Sequence, residues 1–388
     1  MTDKTFDAIV VGAGYIGCSV AYHLCVAGLK TALLDQGPVA AGASRANYGN
    51  IQIQDMELAK STELIRMART RFVSLEEGLN WKVGLRRIGG LLLVENETQW
   101  ALMEARLKAL HEAGIFSELV LASRLKEVEP LIDPTGLLGG LYHADEGQVD
   151  PFLLIWGYLI RARQRGLEEY TDTEVTGFCL QGGRVEGVVT TKGSFSAGCV
   201  VLCTGAYTRR LGRMLGREWG AEYILGQAMV SEPVNLVLRN HVSSASFFEP
   251  DPPDDTGFSG AKFAISQSPR GHLLLGEAML QADHFRRQVP FRSLPAIADC
   301  VRHTFPTFGR LKILRGWSAP VAYTSDGCPL LGPVVGVAGL FLATAFQSTV
   351  VITPLIGELI AELAMRGSCA LDLASFSPDR KLDAEEHR

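Results

Sequence analysis

The sequence predicts an α/β fold in which a doubly wound parallel sheet is interleaved with an antiparallel α+β portion. Three observations carry this reading. The apolar run Ala8-Ile9-Val10-Val11 has the length and β-branching of a fully buried strand, and it runs into Gly12-x-Gly14-x-x-Gly17 before the pattern turns helical through Ala27. The same logic recurs at Gly198 to Gly205, GCVVLCTG, a buried strand delivered to a Thr-Gly turn with a helix after it. Between these units lie alternating strands punctuated by turn residues, with no proline- or glycine-rich linker to set them apart.

The opening glycines have separate physical tasks. Gly12 permits a tight turn, Gly14 lets backbone approach a pyrophosphate, and Gly17 lets the helix pack closely on the strand. The helix N-terminus at Ala13, Tyr15 and Ile16 then offers N–H groups and a positive dipole end to phosphates. A second strand, Lys30 to Leu34, ends at Asp35-Gln36, close to the roughly 20-residue offset expected of a carboxylate that takes ribose hydroxyls. Strand, helix, second strand and acid together describe a Rossmann-like dinucleotide site, without separating nicotinamide from flavin.

Composition narrows the class. The 388 residues suffice for two domains, and 47% hydrophobic with 20% charged residues describes a globular chain with a large core. A net charge of -5 and the absence of any basic run leave no footprint for nucleic acid. The strand at Phe6 leaves no room for a signal peptide, and eight cysteines without CxxC or metal-ligand spacing read as reduced thiols in a cytoplasmic protein with no metal. The uncharged stretch Cys328 to Gly357 is broken by Pro329, Pro333, Pro354 and several glycines. It reads as a turn, a buried strand, a polar loop and a helix start rather than a transmembrane segment.

Further elements follow in order. Gly37 to Ile51 is a small-residue loop with Arg45 as its one charge, suited to passing close to a flat ligand. Glu57 to Glu77 is an amphipathic helix with Leu58, Leu64, Ile65, Ala68 and Phe72 on one face. Leu85 to Val94 reads as a strand pair around Gly89-Gly90, and Thr98 to Ala113 as a helix capped by Thr98. Asp150-Pro151 starts a helix that ends near Gly166, and a hairpin turns at Gly182-Gly183. Tyr223 to Glu232 is a strand, Asn240 to Gly260 a polar exposed loop, and Phe263 to Ile265 pairs with His272 to Leu275. Leu294 to His303 is a helix, Arg315 to Thr324 a strand, and Ile352 to Arg366 the last long helix. This implies a dinucleotide-binding domain from residues 1–80, 150–215 and 325–370, a substrate domain from 81–149 and 216–324, and a frayed tail at 378–388.

Four ordered stretches covering nearly the whole chain resemble the superfamily of FAD-dependent amine oxidoreductases of the D-amino-acid oxidase, glycine oxidase and sarcosine oxidase type. They are DAIVVGAGYIGCSVAYHLCVAGLKTALLD, the loop ASRANYGNI from Ala43, Arg184 to Val188 with Val200 to Ala206, and WSAPVAYTSDGCPLLG from Trp317. The resemblance implies FAD as cofactor, its pyrophosphate on Gly12, Gly14 and Gly17 and its ribose on Asp35. It places Ser44, Arg45, Tyr48, Gly49 and Asn50 beside the flavin ring, Val175 near the adenine, and Thr204 and Gly205 by the diphosphate–adenosine end. The loop Phe346, Gln347, Ser348, Thr349 and Val350 approaches the flavin's pyrimidine edge, and Asn50, Gln52, Val321, Tyr323 and Phe346 are the candidate substrate residues.

The implied chemistry is hydride transfer to flavin N5 from the carbon next to an amine, leaving an imine that water hydrolyses, which calls for no triad or metal. Two departures stand out. Val321 occupies the place where amino-acid-binding members carry a carboxylate-clamping arginine, leaving Arg86, Arg87, Arg286, Arg287 and Arg315 as other candidates. Ala345 to Val350 replaces a Gly-His-x-x-x-Gly loop. Within the superfamily the chain is most similar to catalytic subunits of multi-subunit opine, hydroxyproline, proline or glycine dehydrogenases. Such an assembly implies partners carrying iron–sulfur or second flavin or nucleotide sites, and through them attachment to the inner membrane. A catalytically silent subunit that holds FAD or relays electrons is the alternative. Cys328 and His23 read as a buried thiol and a helix histidine, so no covalent flavin attachment is assigned.

Overall fold

The architecture is known from a computed structural model that describes residues 4–249, 258–281, 285, 289 and 292–382. The opening strand Ala8–Val11 lies inside a six-stranded sheet ordered Glu168–Tyr170, Thr31–Leu34, Ala8–Val11, Cys199–Leu202, Leu340–Thr344 and Leu330–Pro333. The first five strands are parallel and the last is antiparallel. Both faces are covered, which is why the strand sequences are apolar throughout. Val10, Leu33, Val201 and Ala343 point into a core shared with the helices Tyr15–Val26, Thr62–Val73, Pro151–Arg163 and Thr349–Arg366. Ile9, Val11, Leu34, Val200 and Leu202 point the other way, against Val175, Val185, Val188 and Phe195 of a four-stranded sheet. Each such side chain contributes about 1.5–3 kcal/mol by leaving water.

A second, eight-stranded sheet is ordered Ile313–Tyr323, Glu222–Pro233, His272–Leu280, Phe258–Gln267, Asn240–Ser244, Gly89–Val94, Gly139–His143 and Glu118–Leu121. Its outer face packs Leu91, Met229, Ile265 and Leu275 against Ile297 and Val301 of the helix Ser293–Thr304. Its inner face carries a smaller apolar set, Ala228, Ala264, Leu274 and Trp317, against Tyr48 of the small-residue loop. A short ribbon of Asn50–Ile51, Gly147–Gln148 and Arg86–Arg87 ties that loop to the second sheet.

Local chemistry explains the element ends. The Asp150 carboxylate accepts from the N–H groups of Phe152 and Leu153, with Pro151 at the first helical position. Gly182 and Gly183 take φ of 56° and 76°, as a two-residue hairpin turn requires. Among the described residues, no helix is long and apolar enough to cross a membrane. All eight cysteines are free thiols.

Several expectations need correction. Arg86–Arg87 and Gly89–Val94 do not pair; the first joins the ribbon and the second lies between Asn240–Ser244 and Gly139–His143. The cap of the helix Glu97–Glu112 is Asn96, whose side chain accepts from the Gln99 N–H, so Thr98 is already helical. Helix begins at Thr62 rather than Glu57 and breaks at Ser74. Asn240–Ser244 is a buried strand rather than exposed loop, because the Glu129 carboxylate accepts from the N–H groups of Arg239 and Asn240 and the Asn240 side chain donates to the Val128 carbonyl. Residues 250–257 of that stretch lie outside the described residues. The tail is held through Leu382 rather than frayed from Pro378. Arg380 pairs with Asp326 at 2.8 Å, Asp379 accepts from the Val335 N–H, and Leu382 packs against Gly220.

Candidate functional site

A cavity of about 450 Å³ starts beside Asp35, Thr173 and Arg210. It passes the glycine turn and ends against Val321, Ala322 and Phe346 at the edge of the second sheet. That volume lies within the range of sites that enclose a small-molecule ligand. The turn that floors it is closed to any side chain. A Cβ on Gly12 would lie 2.3 Å from the Cys203 carbonyl oxygen, and one on Gly17 would lie 1.7 Å from the Gly12 oxygen. Gly12, with φ of 108°, also occupies backbone space that favours glycine. The first helix has no acid in its first turn and its N-cap residue, Gly14, has no side chain to cap it, so its positive dipole end faces the cavity. The Tyr15 N–H donates to Ser44 Oγ at 3.1 Å, which brings the small-residue loop across the helix start.

Asp35 organises the far end. Its carboxylate accepts from the Ala13 N–H at 2.7 Å and the Gly37 N–H at 2.9 Å. Burial raises its pKa, against the pull of those two donors. Thr204, Thr208 and Thr344 form a hydroxyl chain behind the second glycine turn, with separations of 2.9 and 3.1 Å. Burial pushes the Cys203 thiol well above its ordinary range, so it is an inert wall rather than a nucleophile.

The sequence-derived candidates fall into three groups. Gly12, Gly14, Tyr15, Ile16, Asp35, Gln36, Ser44, Arg45, Val175, Thr204, Gly205, Val321, Phe346 and Thr349 all border the cavity. Ala13, Gly17, Gly49 and Val350 stand behind it, with Gly49 pressed so close that a Cβ would be 2.1 Å from the Val149 oxygen. Others are committed elsewhere. Asn50 donates to Ser266 Oγ at 2.8 Å, Ser348 donates to Asp55 at 2.6 Å, and Gln347 is exposed and accepts from the Glu57 N–H. Gln52 is half-buried on the same loop.

Tyr323 does not line the cavity, whose wall here is Pro320, Val321 and Ala322; its hydroxyl donates to Glu222 at 3.2 Å. Of the arginines, Arg86 donates to the Gln267 carbonyl, while Arg87 and Arg315 are exposed away from the cavity. Arg286 and Arg287 lie outside the described residues. Sequence reasoning missed Arg210, which pairs with Glu174 at 2.6 Å on the cavity wall. It also missed Asp55 and Glu277, which lie with the expected Tyr48 on the inner face. Burial, then the Asp55 charge, raises the Glu277 carboxyl to about 7, and burial also raises Asp55. Nothing in GEAML marks that glutamate, since its position depends on a break in strand register.

This fold, with a glycine cradle closed to side chains and an elongated cavity over a helix N-terminus, defines a dinucleotide-dependent enzyme. The chain belongs to the FAD dependent oxidoreductase (DAO) family, whose model matches residues 7–363. It is 28% identical over 347 residues to sarcosine oxidase subunit beta of Rhodobacter capsulatus, covering 86% of this chain and 79% of that one. It is 27% identical over 387 residues to glycine oxidase of Geobacillus kaustophilus, covering 97% of each. In three dimensions it resembles L-proline dehydrogenase from P. horikoshii with a TM-score of 0.86 at 20% identity, over 97% of this chain and 98% of that one, a likeness of fold. The cofactor is FAD, and the cradle fits it: the glycine floor admits close approach by a pyrophosphate, and the helix start turns its positive dipole end toward it.

Proposed function

We propose that the chain oxidises the C–N bond of an amino acid or secondary amine, as the catalytic subunit of a multi-subunit cytoplasmic dehydrogenase or oxidase. The observation that carries this reading is the reach of the cavity, from the ribose-binding position at Asp35 to Val321 and Phe346 beside the inner face of the second sheet. When bound, FAD supplies the acceptor for a hydride from the carbon next to nitrogen. Residues of the chain supply position and dryness. Gly12 and Gly14 with the Tyr15 helix start hold the phosphates, and Asp35 holds the ribose. The start of the helix Thr349–Arg366, without an acid in its first turn, favours negative charge on a reduced ring. Trp317, whose indole N–H donates to the Ala46 carbonyl at 3.3 Å, pins the small-residue loop to the second sheet. With Tyr48 and Leu274 it keeps water from the reacting carbon. The similarity to a subunit named beta supports partners that accept the electrons.

Anaerobic mixing of the FAD-loaded chain with proline, hydroxyproline, sarcosine, octopine and nopaline tests the proposal. Bleaching of the flavin band by one of them supports catalysis. A band unchanged by all of them favours the silent, FAD-holding subunit, to which Val321 and the Phe346-Gln347 loop point.

A further inference from the structure

The inner face of the second sheet holds a carboxyl group that neither the fold nor the cradle employs. In the strand His272–Leu280, Leu275 and Ala278 both point into the outer core. Gly276 points inward, since a Cβ there would lie 2.0 Å from the Tyr48 hydroxyl. One residue too many stands between them. On one side Ala228 pairs with Gly276 and Gln227 with Ala278; on the other Ala264 pairs with Gly276 and Ala261 with Ala278. Glu277 is thus left out of both ladders, and the bulge turns it to the inner face beside Gly276. Its charge acts on Tyr48, and Asp55 acts on it in turn, which places all three around one space.

Among the described residues, no cation pairs with Glu277. Among the described residues its half-buried carboxyl makes no hydrogen bond or ion pair. The nearby charged groups have partners of their own. Arg106 donates to the Gln54 and Met56 carbonyls, His241 pairs with Glu146 at 2.7 Å, Asp55 takes the Ser348 hydroxyl, and the Glu57 carboxylate accepts from the N–H groups of Ala59 and Lys60. A second, independent observation is the Tyr48 hydroxyl. The residue is 8% exposed, and among the described residues its hydroxyl has no partner. Tyr48 and Trp317 meet edge to face at 6.5 Å and 83°, forming an aromatic wall that suits a cation. In the cavity wall, Val321 presents a methyl surface where a carboxylate clamp would need a guanidinium.

We propose that Glu277, opposite Asp55 and beside Tyr48 and Trp317, draws in the substrate's nitrogen as a cation and takes its proton before hydride leaves the neutral amine, so that the chain selects amines by their positive charge and needs no substrate carboxylate. This rests on the amine-oxidising reading above. It assigns Glu277 a substrate-binding role.

Calorimetric titration of the FAD-loaded chain with tetramethylammonium chloride, and separately with sodium acetate, tests it. Tetramethylammonium has no lone pair and so is not oxidised, which keeps the result independent of whether any amine bleaches the flavin. The expected result is cation binding that strengthens as pH rises through about 7, where Glu277 ionises. In E277Q with unchanged flavin content, cation affinity is expected to fall about tenfold or more, with the pH dependence gone and acetate unaffected. Absent cation binding, tighter binding of acetate, or a cation affinity equal in E277Q would overturn the proposal. Should E277Q fail to retain FAD, the comparison of cation with acetate and the pH dependence in the unaltered chain still decide it.

Discussion

Replacing Gly17 with alanine tests whether the cradle depends on close backbone approach. In an exposed helix interior this change stabilises by about 0.8–1 kcal/mol, because glycine is the poorer helix former. At Gly17 the added Cβ would lie 1.7 Å from the Gly12 oxygen and 2.9 Å from its carbonyl carbon. Contacts between carbon atoms settle near 3.5–4.0 Å, so the helix Tyr15–Val26 must back away by about 1.5 Å or more. It has little room to do so, being buried from Tyr15 through Ala21 against the helices Pro151–Arg163 and Thr349–Arg366. Overpacking of this kind costs about 1–3 kcal/mol, which exceeds the propensity gain. The net expectation for G17A is a loss of up to about 2 kcal/mol, a melting temperature lower by up to about 2–3 °C, and flavin retention reduced because the helix start moves away from the pyrophosphate. Gly78 provides the control. It lies in the helix Leu75–Leu79, and a Cβ there meets nothing within 4 Å. Thermal melts and the ratio of flavin to protein in the purified variants read both effects. G17A as stable as the parent with full flavin content would refute the reasoning.

Other expectations follow from individual contacts. Glu146 is fully buried, pairs with His241 at 2.7 Å, and accepts from the N–H groups of Ile53 and Gln54. Burial alone would raise its pKa, but His241 and these donors hold it below the ordinary value. Its contribution is therefore present above about pH 4.3 and is lost as pH falls through the lower folded pKa. E146Q should cost about 3–5 kcal/mol in denaturant titrations at neutral pH, with the gap to the parent closing in acid. Removing the Asp35 carboxylate in D35A leaves two part-buried N–H donors, those of Ala13 and Gly37, without their acceptor, a cost of about 1 kcal/mol or more, and should weaken FAD binding about tenfold or more by fluorescence titration. R380A should lower stability by about 2–3 kcal/mol, less than a fully buried pair would, because Arg380 and Asp326 retain 11% and 20% exposure. Thermal unfolding of R380A checks this, and no loss would mean the tail contributes nothing.

The parts of the fold legible in the sequence were those set by short-range rules. Gly12, Gly14 and Gly17 are dictated by local backbone clearance, Asp150-Pro151 by the orphan donors of a helix start, and Gly182-Gly183 by turn geometry. Readings failed where partners come from far away in the chain. Asn240–Ser244 is polar enough to read as a surface loop, yet Glu129, remote in sequence, satisfies its backbone and lets it run parallel to Gly89–Val94. Arg86 and Gly89 look like one hairpin but belong to different sheets, because the Gly147–Gln148 ribbon claims the first of them. In the site, the cradle was readable and the inner face was not. Whether Glu277 faces the core or the substrate depends on a bulge opposite Gln227 and Ala228, and no periodicity in GEAML reveals it. Tyr323 has the right position along its strand but its hydroxyl is taken by Glu222.

The central claim is that the Asp35–Val321 cavity would hold FAD so that a hydride could pass to it from the carbon next to a substrate nitrogen. Rapid anaerobic mixing of the FAD-loaded chain with a bleaching amine, compared with the same amine deuterated at that carbon, tests it most directly. The account predicts loss of the flavin band, slowed several-fold by deuterium because that C–H bond breaks in the step observed. A band that persists with every amine, or a preparation that takes up no FAD, would contradict it.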